Sequence, residues 1–251
     1  NSRIYKDFDD KRSELPSFNN PGLIEIFDEH YYKDMEWVFN STHKFDAYDR
    51  PSPDLFIGEL GIGGPYPASL LGEGIINMYL ERNADLNPLV ADRPLMRNWN
   101  FEDPRGPRPV MLYHTNSQSF KTFNFHLSKL FRDNKIDLHI DSLWVPENGQ
   151  PQVGYDYLFS SAGMDTATRT LVLKLINLKD EPMQFTLNIS DTNFSTPATV
   201  TSLSADPNQY STPEDPDAVI PETRKEEIHT QGTYQYVIFP WLELQVKLYI
   251  L

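Results

Sequence analysis

Residues 53–67 read PDLFIGELGIGGPYP. Leu55, Phe56 and Ile57 form the apolar run of a buried strand, and the run stops at Gly58-Glu59, before a segment broken by glycine and proline. A carboxylate where a buried strand ends is either a solvated surface or capping group or a functional one, and the flanking sequence sets the context. Downstream, ASLLGEGIINMYLERNAD carries Leu70, Leu71, Ile75, Met78 and Tyr79 on one helical face. Upstream, residues 23–27 (LIEIF) are a strand candidate. Residues 35–48 follow as a helix, with Trp37, Val38, Phe45 and Tyr48 near helical spacing. The order β, α, β, α predicts parallel strands with covering helices.

Leu86 to Val90 reads as a further short strand, followed by an irregular stretch rich in Pro and Arg, and Ser119 to Phe131 as a third helix with Phe120, Phe123, Leu127 and Leu130 on one side. Beyond Ile136 the period changes from helical to two. IDLHIDSLWV, YDYLFSSA, TRTLVLKLINL, MQFTLNI, ATVTSLSA, TYQYVIF and LELQVKLYIL alternate apolar and polar residues between turn formers, which predicts an antiparallel β-sandwich, jelly-roll-like. The segment from Ser204 to Glu227 is expected to be a long polar loop. The fold class is therefore α/β followed by all-β. An irregular segment spans 1–22, an α/β region 23–133 and a sandwich 134–251. A closed (β/α)₈ barrel takes about 250 residues, so the α/β region is expected to supply only its last strands. The exposed sheet edges should be covered by an N-terminal chain or region.

Composition bounds the partners. The chain has 251 residues, 39% hydrophobic, with 22 Lys and Arg against 36 Asp and Glu, a net charge of -14. That charge disfavours nucleic-acid backbones and anionic membranes and suits a neutral or cationic ligand. Cysteine is absent, which removes disulfides and thiolate metal sites, and the six histidines lack metal-ligand spacing, so neither a metal nor another cofactor is expected. No apolar run reaches the roughly 18 residues of a membrane span. Sequons at Asn40, Asn188 and Asn193 suit a secreted glycoprotein. The first 22 residues show neither an initiator Met nor an apolar leader, as in a piece of a longer chain.

In a barrel the C-terminal strand ends line the active site. Glu59 and DEHYY (residues 28–32) both fall at such ends, which places a carboxylate beside an imidazole and phenols. Such a set can attack or stabilise an electron-poor anomeric carbon. Taken singly, His30 also reads as a structural histidine and Trp99 equally as a core tryptophan or a sugar-stacking platform.

The stretch FDEHYYKDMEWVFNSTHKFDAYDRPSPDLFIGELG resembles the family 51 glycoside hydrolases, the α-L-arabinofuranosidases, and the likeness continues through LGEGIINMYLERNAD, the Trp99 region and the closing sandwich. The resemblance implies a retaining glycosidase acting on arabinose side chains of xylan or arabinan, with Glu59 as nucleophile and His30 and Tyr32 contacting the nucleophile or the arabinosyl unit. It also implies an acid/base carboxyl, on an Asn-Glu pair of an earlier strand, that this chain does not carry. Leu60 stands where the family has an aromatic residue, and NPLVADRPLMRNW, with Asp92-Arg93, is more charged than its counterpart. These departures leave open a related endoglucanase or β-xylosidase, or a non-catalytic glycan-binding or interaction protein on the same fold.

Two other motifs carry less. GELGIGG lacks the G-x-G-x-x-G spacing and any following Lys-Ser/Thr of a nucleotide site. DPNQYSTPEDPD lacks the sixth-position glycine and closing Glu of a calcium loop, and reads as solvated loop.

Overall fold

Strand β1 (Ile26–Asp34) pairs in parallel with β2 (Asp54–Gly63), and β3 (Leu89–Asp92) joins the far side of β2, also in parallel. The computed structural model describes residues 25–48, 50, 53–64, 66–92, 94–101, 109–141, 154, 155, 157–188, 194–206, 209–227, 233–238 and 242–250. Both leading strands run past the ends expected from sequence: DEHYY lies within β1, and Glu59 lies within β2. The reason is a β-bulge. Leu55 and Ile57 are buried, then Leu60 and Ile62, so the inward parity changes by one across Gly58-Glu59, where the register with β1 skips a residue. A period-2 pattern interrupted in this way looks like the end of a strand.

Helix α1 (Met35–Ser41) starts where the Asp34 carboxylate accepts the Trp37 amide hydrogen at 2.9 Å. It gives way to a 3-10 turn over Thr42–Ala47 instead of continuing to Tyr48. Helix α2 (Ala68–Arg82) is buried on nearly every side, with Leu71, Ile75 and Ile76 fully enclosed between β2, α1 and the C-terminal half. Gly74 permits this enclosure, because a Cβ there would stand 2.9 Å from Ile176 Cδ1.

The Pro- and Arg-rich stretch is less irregular than expected. Strands β4 (Met96–Asn98), β5 (Leu112–His114) and β6 (Ser119–Lys121) form a small mixed sheet. Because Ser119 to Lys121 are committed to that sheet, the third helix starts later than the sequence pattern indicated, as α3 (Phe123–Asp133).

The C-terminal half is antiparallel, as expected. A seven-stranded sheet has the order β13-β12-β15-β10-β9-β7, with β8 also on β9, and β11 (Met183–Asn188) pairs with β14 (Thr233–Ile238). Its members are β7 (Leu138–Ile140), β8 (Gly154–Tyr155), β9 (Leu158–Asp165), β10 (Thr170–Asn177), β12 (Phe194–Ser204), β13 (Glu222–Glu226) and β15 (Leu242–Ile250). Strand β13 corrects the expectation of an unbroken polar loop. Its sequence, ETRKE, hides the strand because every side chain is polar.

One core runs through both halves. Ile176, Leu178, Leu203, Ala205 and Val219 belong to the same buried cluster as Leu71, Ile75, Leu127 and Phe131. Across this seam Lys174 of β10, fully buried, donates to Glu81 of α2 and lies 4.5 Å from the Phe131 ring centre. Burial raises the Glu81 carboxyl above its ordinary range while Lys174 pulls it back down.

Candidate active site

Alternation along β1 sorts neighbouring residues onto two faces. Phe27, Glu29 and Tyr31 are buried against the helices, whereas Asp28, His30 and Tyr32 point to the opposite side. On β2 the bulge turns Glu59 to that opposite side, since Leu60 next to it is buried in the core. The register then sets His30 against Glu59 and Tyr32 against Gly61.

The resulting geometry is a short relay. Asp28 Oδ1 accepts the Gly58 amide hydrogen at 3.0 Å, Asp28 Oδ2 lies 3.1 Å from His30 Nε2, and His30 Nδ1 lies 3.7 Å from Glu59 Oε2. The His30 side chain is 17% exposed and that of Glu59 41%, so an oriented imidazole stands beside a carboxylate that solvent or substrate can reach. Gly58 makes the relay possible. A Cβ at that position would meet Asp28 Oδ1 and stand only 2.8 Å from His30 Nε2.

Behind the strand, on the helix side, Glu29 is 2% exposed and accepts from the hydroxyls of Tyr31 and Tyr48, the latter at 2.9 Å. Burial, and then the Glu29 carboxylate and Tyr48, hold the Tyr31 hydroxyl well above the ordinary tyrosine range. This group is sealed and structural, whereas Glu59 is open. Chemically, a reachable carboxylate beside an oriented imidazole can act as a nucleophile or stabilise a developing cation.

The structure thus brings together three of the residues singled out from sequence, Glu59, His30 and Tyr32. It adds Asp28, which shares a face with positions 30 and 32 once β1 extends over all three. Trp99 is half-buried and packs edge-on against Tyr113 at 5.0 Å and Phe120 at 5.5 Å, within a small core that includes Val110. Leu60, the departure beside Glu59, is 1% exposed and belongs to the core, so its side chain does not shape the Glu59 face. Asn40 is exposed on α1, Asn188 ends β11, and Asn193 and Arg93 lie outside the described residues. Among the described residues no group of three His, Asp or Glu side chains is placed to hold a metal ion, and no helix is long and apolar enough to cross a membrane.

Comparison with known proteins bears on the family and the fold. A family model described as the α-L-arabinofuranosidase C-terminal domain matches residues 68–241. An extracellular exo-α-L-arabinofuranosidase of Streptomyces chartreusis is 34% identical over 124 residues, which is 49% of this chain and 15% of that protein. Among solved structures, an arabinose-bound α-L-arabinofuranosidase of glycoside hydrolase family 51 superposes with a TM-score of 0.77 at 20% identity, over 99% of this chain and 42% of its own. The Thermotoga maritima α-L-arabinofuranosidase in its arabinose complex gives a TM-score of 0.64 at 14% identity, over 91% of this chain and 53% of its own. At these identities the two structures speak to the fold. The chain spans about half or less of the length of each relative.

Proposed function

The chain belongs to the family of α-L-arabinofuranosidase C-terminal domains, and from that premise we propose that it is the C-terminal portion of a family 51 enzyme and contributes the nucleophile, Glu59, to a retaining glycoside hydrolase. The observation that carries the reading is the position of Glu59: turned by the bulge to the open face of the parallel sheet, and held beside the Asp28–His30 relay. In this reading a Glu59 oxygen bonds to the anomeric carbon as the glycosidic C–O bond breaks. The departing oxygen takes a proton from a second carboxyl. Water then releases the sugar and returns a proton to that second group.

Retaining chemistry sets the two carboxyls about 5 Å apart. Asp28 is engaged by Gly58 and His30, so the acid/base is assigned to a part of the enzyme outside this chain. Residues 23–133 then form the last strands and helices of a (β/α)₈ barrel, with residues 1–22 as an irregular lead and 134–251 as the closing sandwich. Support comes from the open face and edges of the parallel sheet, where Ile26, Tyr32, Leu89 and Val90 are 54%, 49%, 60% and 37% exposed. Apolar surface in such a place calls for a covering element. His30 and Tyr32 would touch the arabinosyl unit, with Trp99 near the rim. The substrate is assigned as arabinose side chains of xylan or arabinan. The protein is assigned as secreted, in line with the extracellular Streptomyces relative, with glycan on at least one of the three sequons.

The test is turnover of an aryl α-L-arabinofuranoside by the full-length enzyme and its Glu59→Gln variant. Loss of turnover with an unchanged melting temperature supports the assignment. Wild-type kinetics in the variant overturn it.

A further inference from the structure

Glu59 is placed by its backbone. Among the described residues its carboxylate has one charged neighbour, His30 at 3.7 Å, and accepts no hydrogen bond. The direction in which it points is therefore set by the course of β2 through the bulge. That bulge interrupts the pairing on both sides of the strand: the register with β1 slips between Glu29 and His30, and the register with β3 slips between Ile57 and Leu60. Backbone amides that lose a ladder partner need another acceptor. Before Glu59, the Gly58 amide donates to Asp28 Oδ1 at 3.0 Å; after it, the Ile62 amide donates to Glu73 Oε1 at 3.3 Å. Two carboxylates thus bracket Glu59, each holding a backbone amide of the strand that carries it.

Asp28 belongs to the open face and to the His30 relay. Glu73 does not. It lies in the first half of α2, 4% exposed, and reaches β2 from the helix side. Its other oxygen, Oε2, accepts from the side-chain amide of Asn124 on α3 at 2.7 Å, and Asn124 is equally buried. Burying an acid is unfavourable unless it is hydrogen-bonded, and the bonds made here lead from α3 through α2 to the backbone three residues past Glu59. Among the described residues the pairing of β3 with β2 ends at Leu60, opposite Asp92. Beyond that point β2 rests on β1 and on Glu73.

We propose that Glu73 is a positioning residue for the nucleophile, anchoring β2 just past the bulge and so fixing the angle at which Glu59 meets the anomeric carbon. The proposal rests on the reading of Glu59 as nucleophile. Glu73, enclosed in the core, acts only through the strand.

The test compares Glu73→Leu, Glu73→Asp and Glu73→Gln in the full-length enzyme. Leucine removes the acceptor, and aspartate withdraws the carboxylate by one methylene. Glutamine keeps an oxygen for the Ile62 amide, and its NH2 can donate to Asn124 Oδ1, which has no partner in the present arrangement, once the Asn124 amide turns over. Glu73→Leu and Glu73→Asp should each lower kcat on an aryl α-L-arabinofuranoside by about 10²-fold, the cost of misplacing a reacting group by roughly 1 Å, with KM unchanged because the sugar still binds. Glu73→Gln should stay within a few-fold of wild type. Amide hydrogen exchange across residues 59–63 should quicken in the first two variants and not in the third. If Glu73→Leu fails to fold, Glu73→Asp against Glu73→Gln decides the same question. An unchanged kcat in the aspartate or leucine variant, an equal loss in Glu73→Gln, or a rise in KM that matches the fall in kcat overturns the positioning role and leaves Glu73 a structural acid. Wild-type kinetics in Glu59→Gln strike the nucleophile assignment instead, and the exchange readout then still reports whether Glu73 anchors the strand.

Discussion

Glu29 and Glu59 occupy the same parallel sheet, each beside a titratable ring or hydroxyl, and their fates are opposite. Glu29 faces the helices, 2% exposed, and accepts from Tyr31 and Tyr48. Glu59 faces the other way, 41% exposed at its side chain, beside His30. Residue type does not separate them; strand parity does. In one case burial with full hydrogen bonding makes a carboxylate a fixed internal strut. In the other, a one-residue bulge rescues a carboxylate from the core and leaves it available for reaction.

The contrast can be broken most directly at Glu59. Glu59→Gln is expected to lower kcat by on the order of 10⁴-fold or more, as loss of a covalent nucleophile does, with the melting temperature held. Equal loss of stability and activity would mean that Glu59 is a strut like Glu29. Gly58→Ala comes next. The added methyl displaces Asp28 and His30, and a reacting group misplaced by about 1 Å costs on the order of 10²-fold in kcat/KM. Kinetics indistinguishable from wild type would show that the relay does not orient Glu59.

On the sealed face the expected change is in stability. Tyr31→Phe removes one of the Glu29 hydrogen bonds and should cost about 1–3 kcal/mol in denaturant unfolding, with kcat/KM of the folded protein within a few-fold of wild type. A large kinetic effect without destabilisation would erase the distinction between the faces. The smallest effect concerns pH. Burial, reinforced by Lys121, holds the His126 imidazole below its ordinary pKa of 6.5. As pH falls below 6.5 the unfolded chain takes up this proton before the folded one, so stability drops across that window. His126→Gln should flatten the decline of melting temperature between neutral and mildly acid pH. An identical slope in the variant would show that His126 does not contribute.

The parallel strands, α2 and the antiparallel half were legible because their side chains obey a single period over many residues. The end of β2 was not, since the bulge at Gly58 shifts the parity that a reader of sequence follows. Strand β6 reads as the first turn of a helix because Phe120 and Phe123 are three residues apart, yet Phe120 enters the small core with Val110 and Tyr113 while Phe123 enters the main one. Of the Glu59 relay, His30, Tyr32 and Glu59 stood out by residue type and by family likeness. Asp28 required the strand's true extent. Glu29 and Tyr48 as a hydrogen-bonded pair were beyond sequence reading, because nineteen positions separate them and only the fold closes that distance.

Strand β13 has a further consequence. Among the described residues it forms one margin of the large sheet, with β12 beside it, and presents Glu222, Thr223, Arg224, Lys225 and Glu226, the first four exposed. The opposite margin is the three-residue β7 and the two-residue β8, both on β9. A second molecule adding a strand to the first margin would have to bring its own backbone against a row of fixed charges of both signs, and at the other margin would find too short a template to hold it. Both margins, as far as the described residues show them, thereby resist edge-to-edge growth, which disfavours assembly into fibres.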